Sequence, residues 1–314
     1  MQDHVQVLVL GATGRIGRLL RHCWGVGGNR WQSRQPQAGA GWITFDPLLD
    51  AEALTQAAKG CRQILCLAGP VPSVCRPGSD AGSVEIQDRQ MGRHVDLALA
   101  TVRAAAQVGA RALLASSAAV YGTGTPGTPL QEDQPLAPMS PYGVAKARME
   151  REALGLAQGL GVPVTALRIG NIAGFDAILG GWKPGFRLDQ FSDGSSPRRS
   201  YIGLTALADV LAALLASPDL PPILNVAQPT EVGGGKSRGS IEMAALLRAA
   251  GHRFTPVPAP QSAIPEVALD LSRLSGVLAQ AGQSTSLPVA NAAQMVTDWT
   301  VLEPYLRLGA GLDA

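Results

Sequence analysis

Histidine, cysteine and aromatic residues are scarce in this chain, and long apolar runs are missing. Four histidines, His4, His22, His94 and His252, lie scattered through 314 residues. No group of them has metal-ligand spacing, so no metal site is expected. The four cysteines, Cys23, Cys61, Cys66 and Cys75, fall in the first quarter of the chain and form no CxxC pair. They read as small buried thiols of a reducing, cytoplasmic compartment, not as a disulfide framework. No stretch reaches the ~20 apolar residues that a bilayer-spanning helix needs, so no membrane partner is expected. Lys and Arg number 26 against 24 Asp and Glu, with no basic stripe, and nucleic acid is not an expected partner. The polar start, residues 1–4, runs straight into a strand, which argues against a secretory leader.

What is present is an alternation. Apolar, strand-like segments read at residues 5–10, 29–33 (weak and polar), 42–45, 63–68, 110–115 and 162–168. Helical patterns read at 15–20, 51–59, 88–108 and 142–160. Strands alternating with helices, several of them apolar throughout, predict an α/β fold: a Rossmann-type doubly wound parallel sheet with both faces covered. After Arg168 the pattern loosens. Residues 171–200 are rich in Gly, Pro and charge and read as loop. Helices follow at 205–217, 241–250, 270–279 and 290–301, with strands at 222–226 and 254–257. The expected organisation is a dinucleotide-binding domain over 1–170, with elements returning from about 200–227. A smaller C-terminal substrate-binding lobe is expected over 171–314.

The segment Val7-Leu8-Val9-Leu10-Gly11-Ala12-Thr13-Gly14-Arg15-Ile16-Gly17 is strand, glycine turn and helix start. Gly11 permits the tight turn, Gly14 lets backbone approach a pyrophosphate, and Gly17 lets helix pack on strand. Thr13, Arg15 and Ile16 join these glycines as expected contacts of a nicotinamide dinucleotide. The spacing is GxxGxxG, weak alone but strong on the first strand of an alternating chain. NAD sites place an acid ~20 residues further on, where it bonds the ribose 2′-OH. Residues 25–41 contain no Asp or Glu, but they do contain Arg30 and Arg34. A guanidinium there can fork onto a 2′-phosphate, so NADP is expected over NAD, with Arg34 the better placed. Asp46 is expected at the adenine, and Ala68 and Gly69 along the cofactor. Gly233-Gly234-Gly235-Lys236-Ser237 imitates the end of a phosphate loop. The glycine that loop requires is replaced by Thr230, so the stretch reads as a flexible connector.

The strand ending near Ala115 leads into Ser116-Ser117, and Ser140-Pro141-Tyr142-Gly143-Val144-Ala145-Lys146 comes later. Tyr142 and Lys146, four apart at a helix start, share one face. A phenol with a pKa near ~10 is a poor base at neutral pH. A nearby ammonium and a positive nicotinamide ring both favour the phenolate. Tyr142 can then exchange the substrate hydroxyl proton, with Ser117 bonding the same oxygen and Lys146 tuning Tyr142.

With these three motifs together, the sequence resembles the extended short-chain dehydrogenase/reductases, the NAD-dependent epimerase/dehydratase family. The resemblance covers about the first 210 residues well and the rest loosely. Gly11, Gly14 and Gly17 match its phosphate loop, and Ser117, Tyr142 and Lys146 its catalytic set. Glu132 and Pro138 stand in its typical run before SPYG. The resemblance implies that Asn171, in Leu167-Arg168-Ile169-Gly170-Asn171, and Arg199, in Arg199-Ser200-Tyr201-Ile202, meet substrate. It also allows a homodimer through the long helix and the Tyr142 helix. His94 stands where the family usually has an active-site Asn. It is either a substitute that meets substrate or a packed side chain. The segment between Asn171 and Arg199 is short for a cover over a nucleotide.

The leading expectation is therefore an NADP-preferring oxidoreductase acting on a small carbonyl, alcohol or sugar-like substrate. The alternative is a nucleotide-sugar 4-epimerase, or less readily a dehydratase, with retained cofactor. A non-catalytic NADP-sensing regulator is the third reading.

Overall fold

The structure is a computed structural model and describes residues 6–70, 81–125, 127–230, 239–280 and 287–308. Cys75, the 233–237 loop and the first four residues lie outside these. The chain divides into two compact units.

The first unit comprises residues 1–120, 138–167 and 221–223. It contains strands β1 (Val7–Leu10), β2 (Arg30–Ser33), β3 (Trp42–Thr44), β4 (Gln63–Cys66), β5 (Arg111–Ser117) and the start of β6 (Val164–Ile169). Helices α1 (Arg15–Trp24), α2 (Ala51–Ala58), α3 (Ala81–Val108) and α4 (Pro141–Leu160) alternate with them. The sheet is parallel and seven-stranded, in the order Ile223–Val226, β6, β5, β4, β1, β2, β3. The expected Rossmann-type fold is thus present. β1 pairs with β4 on one edge and β2 on the other, so the strand order reverses about it. Such a switch point leaves a crevice at the carboxyl ends of the strands.

Every residue of β1, β4 and β6 is buried, which explains why these strands read as continuous apolar runs. Leu8, Leu10, Ile64, Val102 and Leu114 form the core on one face, where Ala98, Ala105, Ala153 and Ala157 let α3 and α4 approach closely. Burial of each large apolar side chain contributes ~1.5–3 kcal/mol. Local signals set the helix starts. Asp50 accepts a bond from the Ala53 N–H at 2.8 Å to cap α2. Ser140 accepts one from the Gly143 N–H at 3.1 Å to cap α4, with Pro141 in the first turn. β5 runs through Ser117, two residues beyond the expected end, and α3 begins at Ala81, earlier than the pattern indicated.

The second unit comprises residues 121–137, 168–220 and 224–314. Its helices are α5 (Leu204–Ala216), α6 (Met243–Ala249), α7 (Ser272–Gln280) and α8 (Ala292–Leu308). Residues 171–200, read as loop, contain short strands. Asn171–Ile172 pairs with Tyr201–Ile202, and Arg187–Gln190 with Thr255–Pro258. Arg198–Arg199 lies between Ile241–Glu242 and Glu266–Val267. Two-residue strands carry no legible alternation. The buried Arg168 donates to the Tyr121 hydroxyl and the Glu132 carbonyl, both at 2.9 Å. Tyr121 in turn donates to Asn225 Oδ1 at 2.7 Å, so the charge is satisfied inside the unit. No helix among the described residues is long and apolar enough to cross a membrane. Cys61 and Cys66 are buried as expected, but Cys23 is exposed, because it falls on the outer side of α1.

Candidate active site

A cleft of about 400 Å³ lies at the switch point of the first unit. Thr13 and Gly14 form one wall, Arg34 and Asp46 a second, Ala68 and Gly69 a third. Gly11 turns with φ 77°, and a Cβ there would stand 2.7 Å from the Ala68 backbone. A Cβ on Gly17 would stand 2.5 Å from Ala12 Cα, so α1 could not pack as it does. α1 opens at Gly14 with no side-chain cap. An uncapped helix start offers amide N–H groups and the positive end of the dipole to an anion. Arg15 and Ile16 follow in the first turn but are not part of the cleft's lining.

The second wall separates two candidate cations. Arg30 donates to the carbonyls of Ala57 and Lys59 at 2.7 and 2.6 Å, tying β2 to the end of α2. Arg34 is exposed on the cleft and has no hydrogen bond or ion pair with the described residues. Asp46 accepts a 2.9 Å bond from the Leu48 N–H, which fixes the turn after β3. Gln32, which sequence reasoning missed, is buried. Its Oε1 accepts from the Gly11 N–H at 2.9 Å and its Nε2 donates to the Phe45 carbonyl at 2.6 Å. One amide thus locks the glycine turn to the neighbouring strands. Gln90 and Arg93 of α3 also line the cleft and were not anticipated.

Ser117, Tyr142 and Lys146 converge where β5 ends and α4 begins. Ser117 is within hydrogen-bonding reach of the Tyr142 phenol. Lys146 Nζ lies 5.7 Å from the Tyr142 ring centroid and donates to the Ala115 carbonyl at 2.6 Å. Gly143 makes the approach possible, because a Cβ there would overlap the Ala119 carbonyl oxygen. Burial raises the Tyr142 pKa, opposed by the Ser117 bond and then by the charge of Arg15. Lys146, expected to lower it, is not among the groups that do so, and its ammonium donates instead to the Ala115 carbonyl. Burial pushes Lys146 itself down to about 8, opposed by Cys66 and then Glu150. Glu150 is buried one turn beyond Lys146, and its Oε1 accepts from Ser116 Oγ at 2.5 Å. Neither residue was singled out from sequence.

His94 is 4% exposed and stacks edge-on against Tyr142, with ring centroids 5.5 Å apart. Burial, then the Lys146 charge, pushes its pKa down to about 3, so the ring is neutral. Neither ring nitrogen has a well-formed hydrogen bond among the described residues, although the Pro70 carbonyl lies near enough to favour the protonated form slightly. Asn171 and Arg199 belong to the second unit. Asn171 is in register with Tyr201, and its side chain reaches that phenol. Arg199 Nη1 donates to the carbonyls of Arg198 and Ile264 at 2.7 and 3.0 Å. Among the described residues no group of three or more His, Cys, Asp or Glu is placed to hold a metal ion.

A parallel sheet with a glycine turn at its switch point and a Tyr–Lys helix beside it defines a dinucleotide-binding enzyme of Rossmann type. The chain belongs to the NAD dependent epimerase/dehydratase family, whose model matches residues 7–177, more than half of its length. No curated protein matches the sequence. Among solved structures, it resembles a UDP-glucose-4-epimerase from Stenotrophomonas maltophila with bound NAD and formylated UDP-arabinopyranose. That likeness has a TM-score of 0.73 at 19% identity, over 97% of this chain and 100% of that one. It also resembles DesIV, a dTDP-glucose 4,6-dehydratase from Streptomyces venezuelae with bound NAD and TYD, with a TM-score of 0.68 at 18% identity, over 96% and 98%. A short-chain dehydrogenase/reductase superfamily protein from Agrobacterium tumefaciens with bound NAD gives 0.70 at 18% identity, over 98% and 100%. Identities this low speak for the fold alone.

Proposed function

We propose that the protein holds a nicotinamide dinucleotide in the β1–α1 cleft and reversibly oxidises a secondary alcohol, with Tyr142 moving the hydroxyl proton. The observation that carries this reading is the convergence of Ser117, Tyr142 and Lys146 at the end of β5. The cleft fits the cofactor in its glycine turn and its uncapped helix start. Once bound, the dinucleotide supplies the hydride acceptor or donor. Ser117 bonds the substrate oxygen, Tyr142 takes or returns its proton, and the Lys146 ammonium favours the phenolate and holds the ribose. The first unit is then the dinucleotide-binding half and the second the substrate lobe, with Asn171 and Arg199 as substrate contacts. Loss of either Tyr142 or Lys146 would favour a sensing regulator, and both are present.

For the cofactor we favour NADP over NAD. Support comes from Arg34, just past the end of β2, a guanidinium without a partner among the described residues, and from the absence of any acid over residues 25–41. For the substrate we favour a nucleotide sugar, in a 4-epimerase-type reaction, following the ligands carried by the similar structures. Elimination is the weaker option, because Ser117 is followed by Ala118 and Ala119 with no acid–base pair. A small carbonyl or alcohol is the second reading, favoured by the short segment between Asn171 and Arg199. The test incubates purified protein with UDP-glucose, UDP-galactose and UDP-N-acetylglucosamine, then with a carbonyl panel and NADPH or NADH. Isomer exchange supports the epimerase, and steady absorbance loss at 340 nm supports the reductase. Activity with neither, by protein that binds dinucleotide, would overturn the catalytic reading.

A further inference from the structure

The last three residues of β5 each meet α4. The Ala115 carbonyl accepts from Lys146 Nζ at 2.6 Å, Ser116 Oγ donates to Glu150 Oε1 at 2.5 Å, and Ser117 reaches Tyr142. The first and last of these contacts involve the proposed proton-transfer machinery. The middle one belongs to a buried acid that the mechanism above does not use.

We propose that Glu150 is a positioning residue whose buried carboxylate, held by Ser116, is the fixed countercharge of the Lys146 ammonium. This rests on the proposed roles of Tyr142 and Lys146. Glu150 is 2% exposed and Lys146 is 5% exposed, so water screens neither charge well. A buried ion costs several kcal/mol unless an opposite charge and hydrogen bonds compensate it. The Ala115 carbonyl offers Lys146 a dipole but no charge. Glu150 sits four residues on, on the same helical face, and its Oε1 accepts the Ser116 hydroxyl bond.

The other groups facing Lys146 do not supply a negative charge near neutrality. From β4 comes Cys66, whose buried thiol is hydrogen-bonded by Thr101 of α3. A thiolate there would act on Lys146 more strongly than Glu150 does, but burial pushes the thiol up and leaves it uncharged. From α3 comes His94, which is neutral, and from α4 comes Tyr142, a phenol raised by burial. From α1, Arg15 acts on Tyr142 and adds positive charge. Among the described residues, Glu150 is the anion left to balance Lys146. Without it, Lys146 releases its proton at lower pH, and the Tyr142 pair loses its charged form sooner as pH rises.

The test is the pH profile of kcat/KM for wild type, Glu150→Gln, Glu150→Asp and Ser116→Ala, each normalised to its own maximum. Glu150→Gln keeps the size and a partner for Ser116, and its alkaline limb should move down by about one pH unit. Glu150→Asp should return the limb most of the way, and Ser116→Ala should move it partway. NMR titration of lysine labelled at Cε, with the Lys146 signal assigned through Lys146→Arg, should show the same displacement without any need for turnover. An unmoved limb and an unmoved Lys146 titration in folded Glu150→Gln would overturn the proposal. If Glu150→Gln fails to fold, an unmoved Ser116→Ala titration does so. Retained turnover in Tyr142→Phe would instead sink the catalytic reading and leave the Lys146 titration as a separate result.

Discussion

The imidazole of His94 stands edge-on to the Tyr142 ring, with centroids 5.5 Å apart, and fills the space left by the missing side chain of Gly69. A neutral histidine therefore backs both the proposed proton donor and one wall of the dinucleotide cleft. Its pKa of about 3, against 6.5 in an unfolded chain, has a consequence for acid stability. Between those values the unfolded chain binds a proton that the folded one refuses, so stability falls as pH drops through this window. His94→Leu removes that proton and the two buried nitrogens. Urea midpoints at pH 7 and pH 5 should therefore differ less for His94→Leu than for wild type. Equal losses in both proteins would show that His94 protonates freely in the fold.

The same contact makes Gly69 sensitive. An alanine there overlaps the imidazole, so Gly69→Ala should destabilise by about 1–3 kcal/mol and weaken dinucleotide binding. His94→Ala should relieve much of this, so a double-mutant cycle on thermal stability should show coupling well above the ~0.5 kcal/mol scatter of independent sites. Simple additivity would mean that the ring moves aside.

Arg34 is the discriminating residue for the cofactor. Arg34→Ala should raise the KM for NADPH about 10- to 100-fold, the loss of one charge-assisted contact, and leave that for NADH nearly unchanged. Titration of intrinsic fluorescence with each dinucleotide gives the same comparison without turnover. An equal effect on both cofactors would place Arg34 away from the 2′ position.

Gly143 tests how tightly the helix start fixes Tyr142. An alanine methyl there meets the Ala119 carbonyl and, at 3.1 Å, Pro138 Cβ. α4 must then shift outward, and misplacement by about 1 Å can cost ~100-fold in rate. Gly143→Ala should lower kcat by that order while dinucleotide affinity, set by Gly11 and Gly14, changes little. A parallel loss of affinity would show that the whole sheet edge moved.

The strand–helix alternation, the glycine turn and the Ser117, Tyr142 and Lys146 set were legible because each is a local pattern with a fixed period or spacing. What stayed hidden depends on register between distant segments. Gln32 looks like a stray polar residue in a weak strand until β2 lies beside β1 and its amide reaches Gly11. Ser116 and Glu150 are ordinary until β5 packs on α4. Lys146 was expected to act on the phenol, but the backbone of β5 supplies a closer acceptor. The two-residue strands Asn171–Ile172 and Arg198–Arg199 could not be read, since two paired residues leave no alternation and their partners lie elsewhere, at Tyr201–Ile202, Ile241–Glu242 and Glu266–Val267.

The most direct test follows the hydride itself. Wild type and Tyr142→Phe are mixed with dinucleotide and the fastest substrate of the panel, and absorbance at 340 nm is recorded through the first turnover. Wild type should show a transient or net change at 340 nm. Tyr142→Phe should bind dinucleotide within about threefold of wild type yet react ~100- to 10,000-fold more slowly, the range that general acid–base catalysis supplies. A Tyr142→Phe protein that transfers hydride within about tenfold of the wild-type rate would contradict the account.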